Sequence, residues 1–292
     1  MDFVKYFPVF LSISLVLIFV SLFLIFKARD NFSFEFVGGI NLTAKFDDKN
    51  FDIEFIKKEL EKDLGSKFFL QKMGENQVQI RSREISAEAR EKIIQILKKA
   101  GKIKEDNIEF NQIEPMIGKE FQRKTILATF LSLILILIYL ATSFRKTSFQ
   151  VKGFKYGIAG VIALFHDTLI TTGFFAFLTL TFGFQFDIPF FVALLTIIGY
   201  SINDTIVIFD RLRENLKKVA KLSREIVNKS LNEVLPRTFG TSLTTLLAIL
   251  FFLFFGPKSL YPFILTLFFG VAIGTYSSIF IATPIIYFWA KK

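Results

Sequence analysis

The stretch "TIIGYSINDTIVIFDRLREN", Thr196–Asn215, begins as an apolar run and ends in charge. Asn203 and Asp204 sit side by side within the apolar part, and the charged boundary begins only at Asp210. If the stretch crosses a membrane, Asp204 lies six residues inside that boundary, about 9 Å along a helix that rises ~1.5 Å per residue. Aspartate is too short to snorkel so far. A charge at the bilayer centre costs about 2.5–3.5 kcal/mol on insertion scales, so such a residue usually faces a partner or a wet cavity. Tyr200 at i−4 and Ser201 at i−3 extend a polar stripe along the same face.

Composition supports a membrane reading of the whole chain. Its 292 residues are 52% hydrophobic with a mean hydropathy of +0.49, too apolar for an ordinary soluble globule. Windows of roughly 20 apolar residues match about 30 Å of hydrocarbon. Six occur, near Phe7–Phe26, Thr125–Phe144, Gly157–Phe182, Ile188–Phe209, Phe239–Phe255 and Pro262–Trp289. The first has only Lys5 upstream and no small-x-small site before "KARD", so it is expected to stay as an uncleaved anchor.

Charge sets the expected orientation. The links Arg145–Tyr156 and Asp210–Arg237 are rich in Lys and Arg, as is the Lys291–Lys292 end, whereas Gly183–Asp187 and Gly256–Tyr261 carry none and one. The positive-inside rule puts both termini and both basic links in the cytoplasm. The net charge of +10 is thereby a topological excess, and no nucleic-acid partner is expected.

Residues 27–124 differ, with 20 Lys/Arg nearly balanced by 18 acids. "FSFEFV" and "NLTAKF" are expected as strands around Gly38-Gly39. "FDIEFIKKELEKDLG" is expected as an amphipathic helix closing on Gly65, and "KFFLQKM" and "NQVQIRS" as a hairpin across Gly74-Glu75-Asn76. "SAEAREKIIQILKKAG" has Ser86 to cap a helix and Gly101 to stop it, and "NIEFNQI" is a last strand. The order β-β-α-β-β-α-β suggests a ferredoxin-like sheet with helices on one face. The expected protein is mainly α: six transmembrane helices plus one small ferredoxin-like α+β extracytoplasmic domain. Residues 1–29 form the first transmembrane helix, 30–120 the domain, and 121–292 a five-helix transmembrane region with a cytoplasmic link at 210–237.

Several chemistries are excluded or weak. There is no Cys, so thiolate chemistry and Cys-based zinc sites are out, and the single His166 rules out a multi-histidine metal site within this chain. No Walker loop or G-x-S-x-G occurs. Neither an enzyme nor a cofactor is expected. The intramembrane polar residues remain. His166 and Asp167 lie mid-span; as i, i+1 neighbours they point about 100° apart and are not expected to form one site. A proton relay and simple helix packing, continued by Thr171 and Thr172, both stand as readings. Pro236 suits the first turn of a helix, placing Arg237 at the membrane entry of the fifth span. From there a guanidinium reaching inward could meet Asp204; the alternative is a positive-inside anchor.

These segments together resemble the SecF members of the SecD/SecF family of protein-translocase subunits, over nearly the whole chain. "GYSINDTIVIFDRLREN" at 199–215 is similar to the family's fourth-span signature, with Gly199, Tyr200, Ser201, Asn203, Asp204 and Arg211 in place. "ALFHDTLITTGFFAF" at 163–177 resembles its third-span motif and "LNEVLPRTFGTSLTTLLAIL" at 231–250 its fifth-span entry. "FEFVGG" at 34–39, with Gly38 and Gly39, resembles the F-x-G-G element after the first span. Glu35 and Pro236 depart from the pattern, where an Asp and a small polar residue are expected. The 98 residues from Lys27 to Lys124 are too few for the larger domain of SecD, and a fused SecDF would need about twice the spans.

The resemblance implies a fold akin to resistance–nodulation–division transporters in a bacterial or archaeal cytoplasmic (inner) membrane, in complex with SecD beside the SecYEG channel. It extends the partners to YajC and YidC, membrane lipid and the unfolded exported polypeptide. It implies that the proton-motive force drives a late stage of export, with Asp204, Arg237, Asn203, His166 and Asp167 as the ion-coupling set. An arginine beside Asp204 would favour the ionised carboxylate and a distant one would not, so protonation could move the helices. A proton-coupled exporter of small molecules or lipids, and a non-transporting scaffold for SecD, are the competing readings.

Overall fold

The computed structural model describes residues 2–48, 51–64, 68–73, 75–82, 87–113, 115–143, 151, 153–219 and 221–290. The expected roles of Gly65, Gly74, Ser86, Lys291 and Lys292, and most of the Arg145–Tyr156 link, fall outside these residues. The chain divides into two compact units, one of residues 1–30, 128–184 and 189–292, the other of 31–127 and 185–188.

The smaller unit contains α2 (Phe34–Val37), β1 (Gly39–Lys45), α3 (Ile53–Leu64), β2 (Phe68–Met73), β3 (Gln77–Ser82), α4 (Ala87–Ala100), β4 (Ile108–Ile113) and the start of α5 (Pro115–Ser143). Its sheet order is β2-β3-β1-β4, with every pairing antiparallel. That is the ferredoxin-like arrangement. The register sets Leu42 opposite both Ile80 and Phe110. Ile40, Leu42, Ala44, Val78 and Ile80 bury against Ile56 and Leu60 of α3 and Ile93 and Leu97 of α4, so both helices cover one face. Asp52 supports the first turn of α3, its Oδ1 accepting from the Phe55 N–H at 2.9 Å.

One expected strand is absent: "FSFEFV" is no strand, and Phe34–Val37 is a single helical turn. Alternating phenylalanines suggest period two, but Ser33 closes the turn, its carbonyl accepting from the Phe36 and Val37 N–H groups. Gly38 (φ 77°) and Gly39 (φ 141°) then redirect the chain into β1 through backbone conformations open to glycine. A Cβ on Gly118 would come within 2.7 Å of the Gly38 nitrogen, so small residues are needed on both sides of this turn.

The larger unit is helical: α1 (Phe3–Ala28), the rest of α5, α6 (Gly153–Phe182), α7 (Ile188–Leu216), α8 (Arg224–Phe255), α9 (Tyr261–Ser277) and α10 (Thr283–Ala290), the last two joined by a π-helical turn at Ser278–Ala282. Among the described residues, five helical segments are long and apolar enough to cross a membrane: Phe3–Ala28, Gly153–Phe182, Ile188–Leu216, Arg224–Phe255 and Lys258–Trp289. The sixth expected span coincides with α5, which carries no charge from Thr125 to Ser143. This is a multi-pass membrane protein.

The expected link at 210–237 is largely folded. α7 continues to Leu216 and α8 starts at Arg224, where Ser223 caps it, its Oγ accepting from the Ile226 N–H. Leu212, Leu216, Val227 and Leu231 are fully buried, so apolar packing carries both helices beyond the hydrophobic windows. Pro236 consequently lies inside α8, twelve residues past its start, and not in a first turn.

Candidate functional site: buried carboxylates among membrane helices

Asp204 is 2% exposed. Its Oδ2 accepts from Ser242 of α8 at 3.2 Å and from Thr275 of α9 at 3.3 Å, and those two hydroxyls are 2.6 Å apart. Three helices thus converge on one carboxylate through hydroxyl groups. Its neighbour Asn203 is exposed, as an i−1 residue turned about 100° around the helix must be. The polar stripe splits between partners: the Tyr200 hydroxyl donates to Thr245 Oγ1 of α8 at 3.3 Å, whereas Ser201 turns to α6.

Arg237 is not brought to Asp204. Among the described residues no ion pair joins them, and Arg237 is exposed, lining a cavity of about 400 Å³ with Asp210, Arg211, Glu214 and Glu233. Helical geometry explains the separation. The α8 residue that reaches Asp204 is Ser242, five positions on, about 7.5 Å further along the helix and ~140° around it. At that cavity Arg211 ties α7 to α8, donating from Nε to Glu233 and from Nη1 to Glu214, both at 2.7 Å.

His166 and Asp167 do form one site. Nδ1 of His166 lies 2.8 Å from Asp167 Oδ1, with the two residues 4% and 1% exposed. Their Cβ atoms diverge, but the imidazole is long enough to fold back across one residue. Asp167 Oδ2 also accepts from Ser201 of α7 at 2.6 Å and Ser277 of α9 at 2.7 Å. On the other side of the ring, Nε2 meets Ser14 of α1 at 2.9 Å, Ser14 meets the Tyr276 hydroxyl at 3.1 Å, and Tyr276 donates to the Phe10 carbonyl at 2.8 Å.

The helices that hold these groups approach closely because their contacts are small. α1 buries Ser14 and Ser21 and exposes Val16, Phe19, Phe23 and Phe26, as expected where lipid is as apolar as the side chains and small residues mediate helix contact. A Cβ on Gly173 would overlap Ser21, and one on Gly274 would come 2.9 Å from the Ser201 Cβ. Gly199, by contrast, faces open space. Beside the site, Ser278 Oγ bonds Thr205 Oγ1 at 2.8 Å, and Thr283 Oγ1 donates five residues back to the Ser278 carbonyl at 2.9 Å. This widened turn sits where π-bulges often mark function.

Residues 92–292 match the family described as protein export membrane protein SecD/SecF, C-terminal. The chain belongs to the SecD/SecF family. The protein translocase subunit SecF of Sebaldella termitidis is 37% identical over 96% of this chain and 88% of its own length. That of Thermobaculum terrenum is 42% identical over 64% of this chain and 58% of its own length. The crystal structure of SecDF, described as a translocon-associated membrane protein, from Thermus thermophilus superposes with a TM-score of 0.85 at 32% identity. It covers all of this chain and 39% of that one. SecDF in a super-membrane-facing form matches with a TM-score of 0.70 at the same identity and coverage.

Within this SecD/SecF chain, several polar partners escape a reading by span. Ser14, Ser242, Thr275, Tyr276, Ser277 and Ser278 are ordinary hydroxyl residues in apolar windows. The run "TYSS" at 275–278 was the one local hint. What singles them out is their convergence on Asp167, His166 and Asp204 from different helices.

Proposed function

We propose that this chain is the SecF subunit of the protein-export machinery. In this reading it works with SecD beside the SecYEG channel, within an assembly that includes YajC and YidC. It couples the proton-motive force to a late stage in which unfolded polypeptide leaves the membrane. On this reading the protein lies in the inner membrane, and the charge pattern favours termini in the cytoplasm and the domain at 30–120 on the outer face. It acts as a transport subunit, not an enzyme.

The observation that carries the reading is Asp204, a buried carboxylate whose described partners are the hydroxyls of Ser242 and Thr275. Hydroxyls can stay bonded to either protonation state of a carboxyl, since they donate and accept. A structural carboxylate would instead want a cation beside it. The scaffold reading rests on a static Asp204–Arg237 pair, and it loses that support in a conformation where the two stand apart. On this reading Arg237, which lines the cavity with Glu233 and Asp210, draws near Asp204 when α8 moves against α7.

The test is precursor translocation into vesicles carrying the complete complex, under an imposed pH gradient and, separately, a sodium gradient. Asp204→Asn is expected to preserve complex assembly and thermal melting while abolishing the gradient-dependent part of export. Wild-type export by the variant under the pH gradient would overturn the role of Asp204. A large drop in melting temperature would favour the scaffold.

A further inference from the structure

The hydroxyl chain beside His166 fixes where hydrogens must lie. The Phe10 carbonyl only accepts, so the single Tyr276 hydroxyl proton points to it across 2.8 Å. The Tyr276 oxygen is then the acceptor for Ser14, 3.1 Å away. That spends the Ser14 proton, and Ser14 Oγ becomes the acceptor in its 2.9 Å contact with His166 Nε2, which must carry a hydrogen. The 2.8 Å contact between Nδ1 and Asp167 Oδ1 needs another hydrogen of its own. The pair therefore holds one proton more than a neutral imidazole beside a carboxylate, and is neutral as a unit.

We infer that the His166–Asp167 pair is a proton-binding site in the helical core, loaded in this conformation and coupled to α1 through the relay of Ser14, Tyr276 and the Phe10 carbonyl. The groups facing it are Ser14 from α1, Ser201 from α7, and Tyr276 and Ser277 from α9; Tyr276 is the one further titratable group in the relay. Among the described residues no lysine, arginine or further carboxylate bonds to the pair. Discharge reverses the relay. The Tyr276 hydroxyl turns from Phe10 to donate to Ser14, Ser14 donates to Nε2, and His166 keeps one hydrogen on Nδ1 facing the Asp167 carboxylate. One proton passes to water, the pair goes from neutral to a charge of −1, and the tie from Tyr276 to the α1 backbone is broken. Ser201 and Ser277 remain on Oδ2 to hold the resulting anion.

The inference deepens the proton-coupling reading and rests on it for its role in export, but its test does not involve export, and Asp204 and the pair share no hydrogen-bonding residue among those described. His166 is the only histidine in the chain, so histidine-specific ¹⁵N labelling reports this ring alone. With the full chain purified through a histidine-free tag and reconstituted in lipid bilayers, the wild-type spectrum near neutral pH is expected to show Nε2 protonated, with a second hydrogen shared at Nδ1. Ser14→Ala and Tyr276→Phe each release the constraint, and a species with bare Nε2 and protonated Nδ1 is expected to appear at the same pH. A wild-type ring with bare Nε2 overturns the proposal, as do variant spectra identical to wild type.

Discussion

The two units of this protein are built inside out relative to one another. In the ferredoxin-like domain the interior is Ile40, Leu42, Phe46, Ile56, Leu60, Val78 and Ile80, all at or near zero exposure, and the charges are outside. In the helical unit phenylalanine is outside, Phe19 at 75% and Phe255 at 84%, while Ser14, His166, Asp167, Ser201, Asp204 and Ser277 are buried. The difference follows from solvent. Water drives apolar area inward at roughly 25 cal/mol per Å². Lipid offers no such force, and helices there are held by close packing and hydrogen bonds. A membrane interior is therefore free to hold polar groups that can carry a function.

Four perturbations test that contrast, beside the loss of coupled export expected for Asp204→Asn. The largest effect is expected from Gly173→Val, because any Cβ there would overlap Ser21 and force α1 off α6. Complex assembly, followed by size-exclusion chromatography in detergent, is expected to be lost, and normal assembly would mean that this contact is dispensable. Next is Ile80→Ala in the domain, expected to cost about 2–5 kcal/mol through lost burial and a residual cavity. Amide exchange of β1 and β3 in the full chain should accelerate accordingly, while exchange in α6 stays unchanged.

A smaller effect is expected at the N-terminus. There Arg224 Nε donates to Asp2 Oδ1 at 2.9 Å and Asn228 donates to the same oxygen at 2.7 Å. The Arg224 guanidinium holds the Asp2 carboxyl down at about 2, from an ordinary 3.8. A lowered carboxylate stabilises the fold above its ordinary value, and the contribution is lost as pH falls from about 3.8 through about 2. Asp2→Asn should remove that acid sensitivity from the exchange of the first turns of α1 and α8; an unchanged profile would show that the clamp contributes nothing. The smallest effect belongs to Phe255→Ser, within about 0.5 kcal/mol for the bundle because the side chain packs on little. A large loss of bundle stability would break the inside-out picture.

Much of this was readable from pattern alone. Hydropathy marked the spans, and the charge run from Asp210 to Arg237 marked where α7 and α8 leave the apolar windows. Alternation and amphipathic periodicity separated the domain from the bundle. Asp204 stood out because an acid that deep in an apolar run has few unforced explanations. Pattern failed where tertiary contacts decide. "FSFEFV" alternates like a strand, yet Ser33 and two positive-φ glycines make it a turn of helix. Pro236 looks like a helix start, yet Val227, Leu231 and Val234 pack well enough to carry α8 through it.

The sequence by itself determined which segments are apolar enough to lie in lipid, that residues 27–124 carry balanced charge unlike the rest, and that Asp204, His166 and Asp167 lie within apolar runs. These depend on composition and on spacing along one helix. Only the tertiary structure decided who the partners are, because a partner on another helix is set by crossing geometry. It sent Arg237 to a cavity with Glu233, gave Asp204 the hydroxyls of Ser242 and Thr275, and closed His166 onto Asp167 with Ser14 and Tyr276 behind it.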